Sequence, residues 1–409
     1  MNYLNNYINK LKKYGFKYTI KVLIPKKIYY HLNPIGMKIS NILFKNISLK
    51  NTIVLESHND FDSNGGAFYN WLIKNEYNKK YRIVWLLWNR KPKNLKLPYN
   101  VTCAPLNKFS LRKYYFLCTS KYLLSCHKIL GSNRKEQLSI YLTHGPVALK
   151  AFKGFTVVPQ TLNYCLMPSK YLEPIMADQY GMTYPSSRLK ILGYPMHDYL
   201  YSSQIGDLHK ITHKIYNKVI LWMPTFRKNK DGMRDDSYVT EKLGIPIFQN
   251  ISSYKALNNK LYLENALLII KIHPMQDMSA IKVKNMSNII ILDAKIVKKL
   301  NIDNYRLMKD TDALVSDYSS AAYDYLHLNR PIGYTVDDAK QYKLGFIVNN
   351  PQDLMGGQII ENESDFLLFL ENVIEDKDPY KDKRHEVFNK VFKYHDGNSS
   401  RRLANFLKL

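Results

Sequence analysis

Short apolar runs separated by polar loops recur along most of the chain. Ile53-Val54-Leu55, Arg82 to Leu87, Tyr114 to Leu117, Tyr122 to Leu124, Ser139 to Leu142, Asn163 to Leu166 and Leu189 to Leu192 read as buried strands. Ala67 to Lys74 reads as a helix between the first two. The pattern lapses into polar residues from Tyr199 to His213, which reads as a linker. A second series follows: Lys218 to Met223, Ala266 to Ile272, Ile289 to Leu292, Ala313 to Val315 and Pro331 to Tyr334. From Phe388 to Leu409 the spacing predicts helices broken at Asp396-Gly397. Strands alternating with helices predict parallel sheets covered on both faces, here two in succession.

One stretch concentrates polar chemistry. After Ala313-Leu314-Val315 come Ser316-Asp317-Tyr318-Ser319-Ser320, and from Ala321 the pattern Ala322, Tyr325, Leu326, Leu328 is helical. A strand, a serine-rich turn and a helix start bring N–H groups, hydroxyls and a positive dipole end together, as a phosphate site requires. An ordinary N-capped helix after a strand gives the same pattern.

With 409 residues the chain predicts two domains of about 150–200 residues. Hydrophobic content of 45% excludes a disordered chain. Against 34 acidic residues stand 60 Lys and Arg, a net charge of +26 that concentrates anions. The four cysteines, Cys103, Cys118, Cys126 and Cys165, contain no C-x-x-C pair and point to neither a zinc site nor a disulfide framework. No apolar run approaches the length of a membrane span.

Residues 1–50 carry ten lysines and no acid; Leu4, Ile8 and Leu11 recur at helical spacing among Lys10, Lys12, Lys13 and Lys17. Two readings fit: a basic amphipathic helix on an anionic membrane surface, or a helix packed on the first domain with a solvated lysine face. Nucleic-acid binding is suggested by charge alone, and no nucleic-acid motif accompanies it.

Ligands of open α/β sheets bind at the carboxyl ends of the strands. His144, Arg227, His273 and the Ser319/Ser320 pair each follow a predicted strand. Histidine serves as base and acid near neutrality, and phosphoryl transfer needs one base plus charge stabilisation. Taken singly, His144 is also an ordinary turn residue before Gly145-Pro146, and His273 an ordinary strand-end residue.

Thr143-His144-Gly145-Pro146 with Leu149-Lys150, Gly193-Tyr194-Pro195-Met196-His197-Asp198, Pro224-Thr225-Phe226-Arg227, Lys271-Ile272-His273-Pro274 and Asp317-Tyr318-Ser319-Ser320 follow one another in order. With Glu56-Ser57 before them and Asp396-Gly397-Asn398-Ser399-Ser400 after, they resemble the CDP-glycerol glycerophosphotransferases, the teichoic-acid primases and polymerases. The resemblance runs from about residue 51 to 405. It implies a GT-B architecture, two doubly wound Rossmann-like domains with a cleft between them. On that reading residues 1–50 form a membrane-associating segment, 51–205 an acceptor domain and 206–384 a donor domain, with a helix at 385–409 crossing back. The implied reaction moves glycerol phosphate or ribitol phosphate from a CDP-alditol to a lipid-linked or polymer hydroxyl, with CMP leaving.

By resemblance, His144 and His273 are the catalytic residues, His144 as the base, and Arg227, Lys271, His273, Ser319 and Ser320 hold the donor. Asp317 belongs with them as the residue orienting the serine turn, since a bare carboxylate repels phosphate. Glu56, Ser57, Gly145 and Lys150 fall on the acceptor side. No metal and no further cofactor are implied, and the place of action is the cytoplasmic face of the membrane. The chain departs from the family pattern at Thr143, Pro146, Met196, His197 and Lys271, where lysine lacks arginine's bidentate fork. These departures leave open which alditol is carried. A nucleotide-sugar glycosyltransferase of the same fold remains the alternative.

Overall fold

The protein is described here from a computed structural model covering residues 24–89, 91, 94–227, 236–237 and 241–409. The amphipathic pattern from Leu4 to Lys17 lies outside these described residues. The chain divides into two compact units. The first takes the described residues up to His144 with Pro159–Cys165 and Ala404–Leu409; the second takes Gly145–Val158 and Leu166–Leu403.

Helix α1 (Ile24–Phe44) leads into β1 (Lys50–Glu56), α2 (Ser63–Lys74), β2 (Arg82–Leu87), β3 (Val101–Pro105) and α3 (Leu111–Thr119). Then follow β4 (Ser120–Ser125), β5 (Leu138–Tyr141), β6 (Tyr164–Leu166), α4 (Glu173–Gln179) and β7 (Leu189–Lys190). The strand order is β3-β2-β1-β4-β5-β6-β7, and β1 runs parallel to both β2 and β4. Apolar residues fill the strands because both faces are covered: Val54, Val84, Leu86 and Leu123 pack with Phe116 and Leu117 of α3. Tyr114 to Leu117, expected as a strand, is therefore helical. Ser110 Oγ accepts from Lys113 N and starts α3, which buries Tyr114, Leu117 and Cys118 along one side.

The remaining elements are α5 (Asp198–Tyr201), β8 (Lys218–Trp222), α6 (Ile251–Leu263), β9 (Ala266–Lys271), β10 (Ile289–Leu292), α7 (Ala294–Lys299) and α8 (Asn304–Lys309). After them come β11 (Ala313–Ser316), α9 (Ser320–Tyr325), β12 (Ile332–Thr335), β13 (Gln358–Ile360), α10 (Glu363–Ile374), α11 (Lys381–Val391) and α12 (Ser399–Leu407). The second sheet has the order β10-β9-β8-β11-β12-β13, with all six residues of β9 buried. Counted from its own first strand, that order is 3-2-1-4-5-6, and the first sheet begins the same way. Both sheets are doubly wound, each with a switch point where the winding reverses: β1/β4 in one and β8/β11 in the other. The change of sheet falls between β7 and β8, across the polar stretch Tyr199 to His213.

Two of the sequence motifs serve this framework. Asp198 accepts from the backbone N–H groups of Ser399 and Ser400, both at 2.8 Å, and so caps α12. His197 is buried, its Nε2 lying 2.7 Å from Asp324 Oδ1. Arg402 donates from Nε to Leu192 O and from Nη1 to Asp396. The Gly193–Asp198 and Asp396–Ser400 motifs thus hold each other, and Met196 and His197, where the chain departs from the family pattern, are both buried.

Candidate active site

At each switch point one carboxylate ties together the ends of the two diverging strands. In the first unit this is Glu56, at the end of β1 and fully buried. Its Oε1 accepts from Trp88 Nε1 at 2.6 Å and Lys128 N at 3.1 Å. Its Oε2 accepts from Cys126 N at 3.1 Å and His127 N at 2.9 Å, both just past β4. Burial raises the Glu56 pKa, opposed by these donors. Ser57 is also buried, with its Oγ accepting from Asp62 N. Both residues, expected on the acceptor side, are buried and hold the loops that follow β1 and β4.

Those loops carry a chain of rings. His58 lies 4.4 Å from His127 and 5.8 Å from Trp88, and His127 lies 5.7 Å from His144, as ring centroids. His58, His127 and His144 are all exposed. Desolvation by the surrounding groups, then the proximity of His58 and His144, pushes His127 down to about 4. It is thus uncharged at neutral pH and puts no positive charge beside His144. The loop before α2 is strained, with Asp60, Phe61 and Ser63 all at positive φ. Asp60 holds it by accepting from Trp88 N at 2.7 Å and Asn89 N at 3.0 Å. His144 itself follows Thr143, which has φ 60°. Asn64 Nδ2, at the start of α2, donates to Leu142 O and Thr143 O at 3.0 Å and fixes that turn. Among the described residues no cluster of histidine, cysteine and acidic groups is arranged to hold a metal.

At the second switch point the tie is Asp317, fully buried at the end of β11. Its Oδ2 accepts from Thr225 N at 2.8 Å, Thr225 Oγ1 at 2.7 Å and Arg227 Nη1 at 2.9 Å, all past β8. Asp317 thus ties the turn after β11 to the loop past β8. Arg227 is only 5% exposed. Its Nε is 2.7 Å from Asp338 Oδ2 and 3.9 Å from Glu241 Oε1. Burial works against the charged guanidinium, but Asp317, Asp338 and Glu241 outweigh it. Arg227, expected to hold the donor, directs its guanidinium at these buried carboxylates. Lys271 is also buried at the end of β9, and that burial pushes its ammonium down to about 8 against the pull of Asp303.

Three expected residues stay at the solvent boundary of this unit. Ser319 and Ser320 are partly exposed, and Ser319 Oγ accepts from Ala321 N to cap α9. His273 is partly exposed beside the Phe226 ring, and its Nδ1 accepts from Met275 N at 3.1 Å. That bond leaves the proton of the neutral ring on Nε2, as a donor. Of Gly145 and Lys150, expected on the acceptor side, Gly145 lies against the serine turn. A Cβ on Gly145 would stand 3.1 Å from Ser320 Oγ, so a side chain there would require the serine to shift by a few tenths of an ångström. Leu149 N donates to Tyr318 O at 3.1 Å, and Lys150 pairs with Phe346 in an antiparallel bridge.

Sequence reasoning missed His58, His127, Trp88, Asp338 and Glu241. The strand-end rule that found His144 also points to His127 after β4 and His58 after β1. Asp338 and Glu241 sit in loops with no pattern of their own.

Two doubly wound sheets in succession, each with polar groups at its switch point, are the architecture of the GT-B fold. The sequence description CDP-Glycerol:Poly(glycerophosphate) glycerophosphotransferase matches residues 39–409, and the chain belongs to that family, making it an enzyme of alditol-phosphate transfer. The teichoic acid glycerol-phosphate primase of Bacillus subtilis (strain 168) is 26% identical over 329 residues, 73% of this chain and 76% of that protein. The teichoic acid ribitol-phosphate primase of Bacillus spizizenii is 24% identical over 327 residues, 72% of this chain and 77% of that one. The solved wall teichoic acid polymerase TagF shares the fold, with a TM-score of 0.67 at 19% identity, covering 94% of this chain and 97% of that one.

Proposed function

We propose that the protein moves glycerol phosphate or ribitol phosphate from a CDP-alditol onto a hydroxyl of a lipid-linked or polymeric acceptor in teichoic-acid or related surface-polymer synthesis. The acceptor oxygen attacks the alditol-bearing phosphorus, the P–O bond to CMP breaks, and His144 takes the hydroxyl proton. The N–H and hydroxyl groups of Ser319 and Ser320, with Nε2–H of His273, take up the phosphate charge. Arg227 acts at one remove, by holding Asp317 and through it the serine turn. The observation that carries this reading is the Asp317 tie at the β8/β11 switch point, which leaves Ser319 and Ser320 at the surface. CMP release is expected from CDP-glycerol or CDP-ribitol with solubilised host membranes as acceptor. Release from one donor alone would name the alditol. No release from either, with a proven acceptor present, would overturn the reading in favour of a nucleotide-sugar donor.

The enzyme is further proposed to work as a peripheral protein on the cytoplasmic face of the membrane. No described helix is long and apolar enough to cross a membrane. Ile28, Leu32, Ile35, Ile39, Ile42 and Leu43 nevertheless form one stripe on α1, each between 45% and 67% exposed. The opposite side of α1 is anchored through Tyr29, whose hydroxyl donates to Leu106 O at 2.7 Å. A stripe of this kind, with Lys38 and Lys45 exposed near it, suits the boundary of an anionic leaflet. Replacing Ile35 and Ile39 together by Glu is expected to cut pelleting with phosphatidylglycerol vesicles at least about ten-fold, because each side chain otherwise buries on the order of 1.5–3 kcal/mol of apolar surface. The thermal melt should stay unchanged, since both positions face solvent. Undiminished pelleting would remove α1 as the contact.

A further inference from the structure

Beneath α1 the first unit holds a cavity of about 210 Å³, several times the roughly 30 Å³ of a water in the liquid. Tyr29, Asn33 and Met37 of α1 roof it; Lys113 of α3 and Lys128, just past β4, supply its charge. Among the described residues that line it there is no Asp or Glu. Lys113 is 1% exposed, and its Nζ donates to Tyr29 OH, Asn33 Oδ1 and Lys108 O, each at 2.9 Å. All three are neutral oxygens, which orient the ammonium without cancelling its charge. Burial first, and the nearby Lys128 second, push Lys113 down to about 7. Lys128 Nζ lies 5.5 Å from the Tyr29 ring, and its backbone is fixed by Glu56.

We propose that this cavity binds a phosphate ester, its anionic oxygens set against the ammonium groups of Lys113 and Lys128. Burial and the nearby Lys128 disfavour the charge on Lys113, Glu56 offsets part of the burial at Lys128, and a bound anion favours both ammonium groups. The cavity lies directly under the helix proposed to contact lipid, so a phospholipid headgroup is one source and a free alditol phosphate the other. The first source rests on the membrane reading; the pocket itself does not.

The test is a titration of the full chain in solution, following the lysine side-chain resonances by carbon NMR through the neutral range. Lys113→Arg identifies the signal. The probes are glycerol phosphate and dihexanoyl-phosphatidylglycerol below its micelle concentration. Occupancy is expected to raise the Lys113 midpoint by about one unit, equivalent to about ten-fold tighter proton binding. A rise with both probes assigns the pocket to phosphate esters generally, and a rise with the lipid alone assigns it to headgroups. Lys128→Gln at the rim should weaken the active probe at least about ten-fold, whereas Lys38→Gln, exposed on α1, should leave it unchanged. A midpoint unmoved by either probe would overturn the proposal. Since no vesicle is used, failure of membrane binding by α1 and failure of this pocket are separate results.

Discussion

Replacing His144 by Ala is expected to slow the chemical step at least about 100-fold, the usual cost of losing a general base. Three features place the burden on this residue. The turn that carries it is fixed by Asn64, through bonds to both Leu142 O and Thr143 O. Thr143 adopts a left-handed backbone that a β-branched residue rarely takes, a cost of about 1–3 kcal/mol that the surroundings must impose. The neighbouring His127 stays neutral, so the imidazole of His144 accepts a proton without a positive charge already at its side. Single-turnover CMP release should therefore fall while the circular-dichroism melt does not move, because the side chain is exposed. An unchanged rate would show that the acceptor hydroxyl loses its proton elsewhere, and His58 or His127 would be the next residues to change.

The second large effect concerns stability. Arg227→Met is expected to destabilise the second unit by about 3–5 kcal/mol, because Asp317, Asp338 and Glu241 are left buried without their counter-charge. At roughly 2–4 °C per kcal/mol, the thermal midpoint should fall by on the order of 10 °C. The sign with pH follows from proton binding. In the wild type, burial pushes Glu241 up to about 8, with Arg227 pulling the other way. A raised carboxyl favours the folded state below its unfolded value near 4.5, and that advantage is lost as pH rises through about 8. Without Arg227 the Glu241 carboxyl loses the charge that pulls it down, so at this group the folded variant binds still more protons than its unfolded chain. The deficit relative to wild type should accordingly shrink in urea melts as pH is lowered from about 8. A variant that melts like the wild type at the upper pH would remove Arg227 as the anchor of this turn.

Much of the fold was legible in the sequence because a strand buried on both faces has to be continuously apolar. Arg82–Leu87 and Ile289–Leu292 coincide with β2 and β10 for that reason. Edge strand β3, reading Val-Thr-Cys-Ala-Pro, is only partly buried and gives no such run, so it escaped notice. Tyr114 to Leu117 misled because four apolar residues look alike in a strand and in a buried helix; Ser110 decides between them. At the site, residue types and strand-end positions were readable, but charge balance was not. Nothing near Arg227 in the chain announces Asp338, which lies 111 residues away. Burial of Glu56 and Asp317 is likewise a property of the switch points, where two strands part and a side chain on one satisfies backbone N–H groups past the end of the other.

The last residues of the first unit have a consequence for synthesis. Ala404 and Leu407 are buried, and Phe406 sets its ring edge-on to Tyr164 at 5.0 Å. A chain emerging from the ribosome at about 5–20 residues per second exposes Tyr164 for on the order of tens of seconds before Phe406 is made. During that interval the Tyr164 side of β6 lacks its final cover and is open to non-native partners. Folding of the first unit is thus completed only after the bulk of the second has been translated.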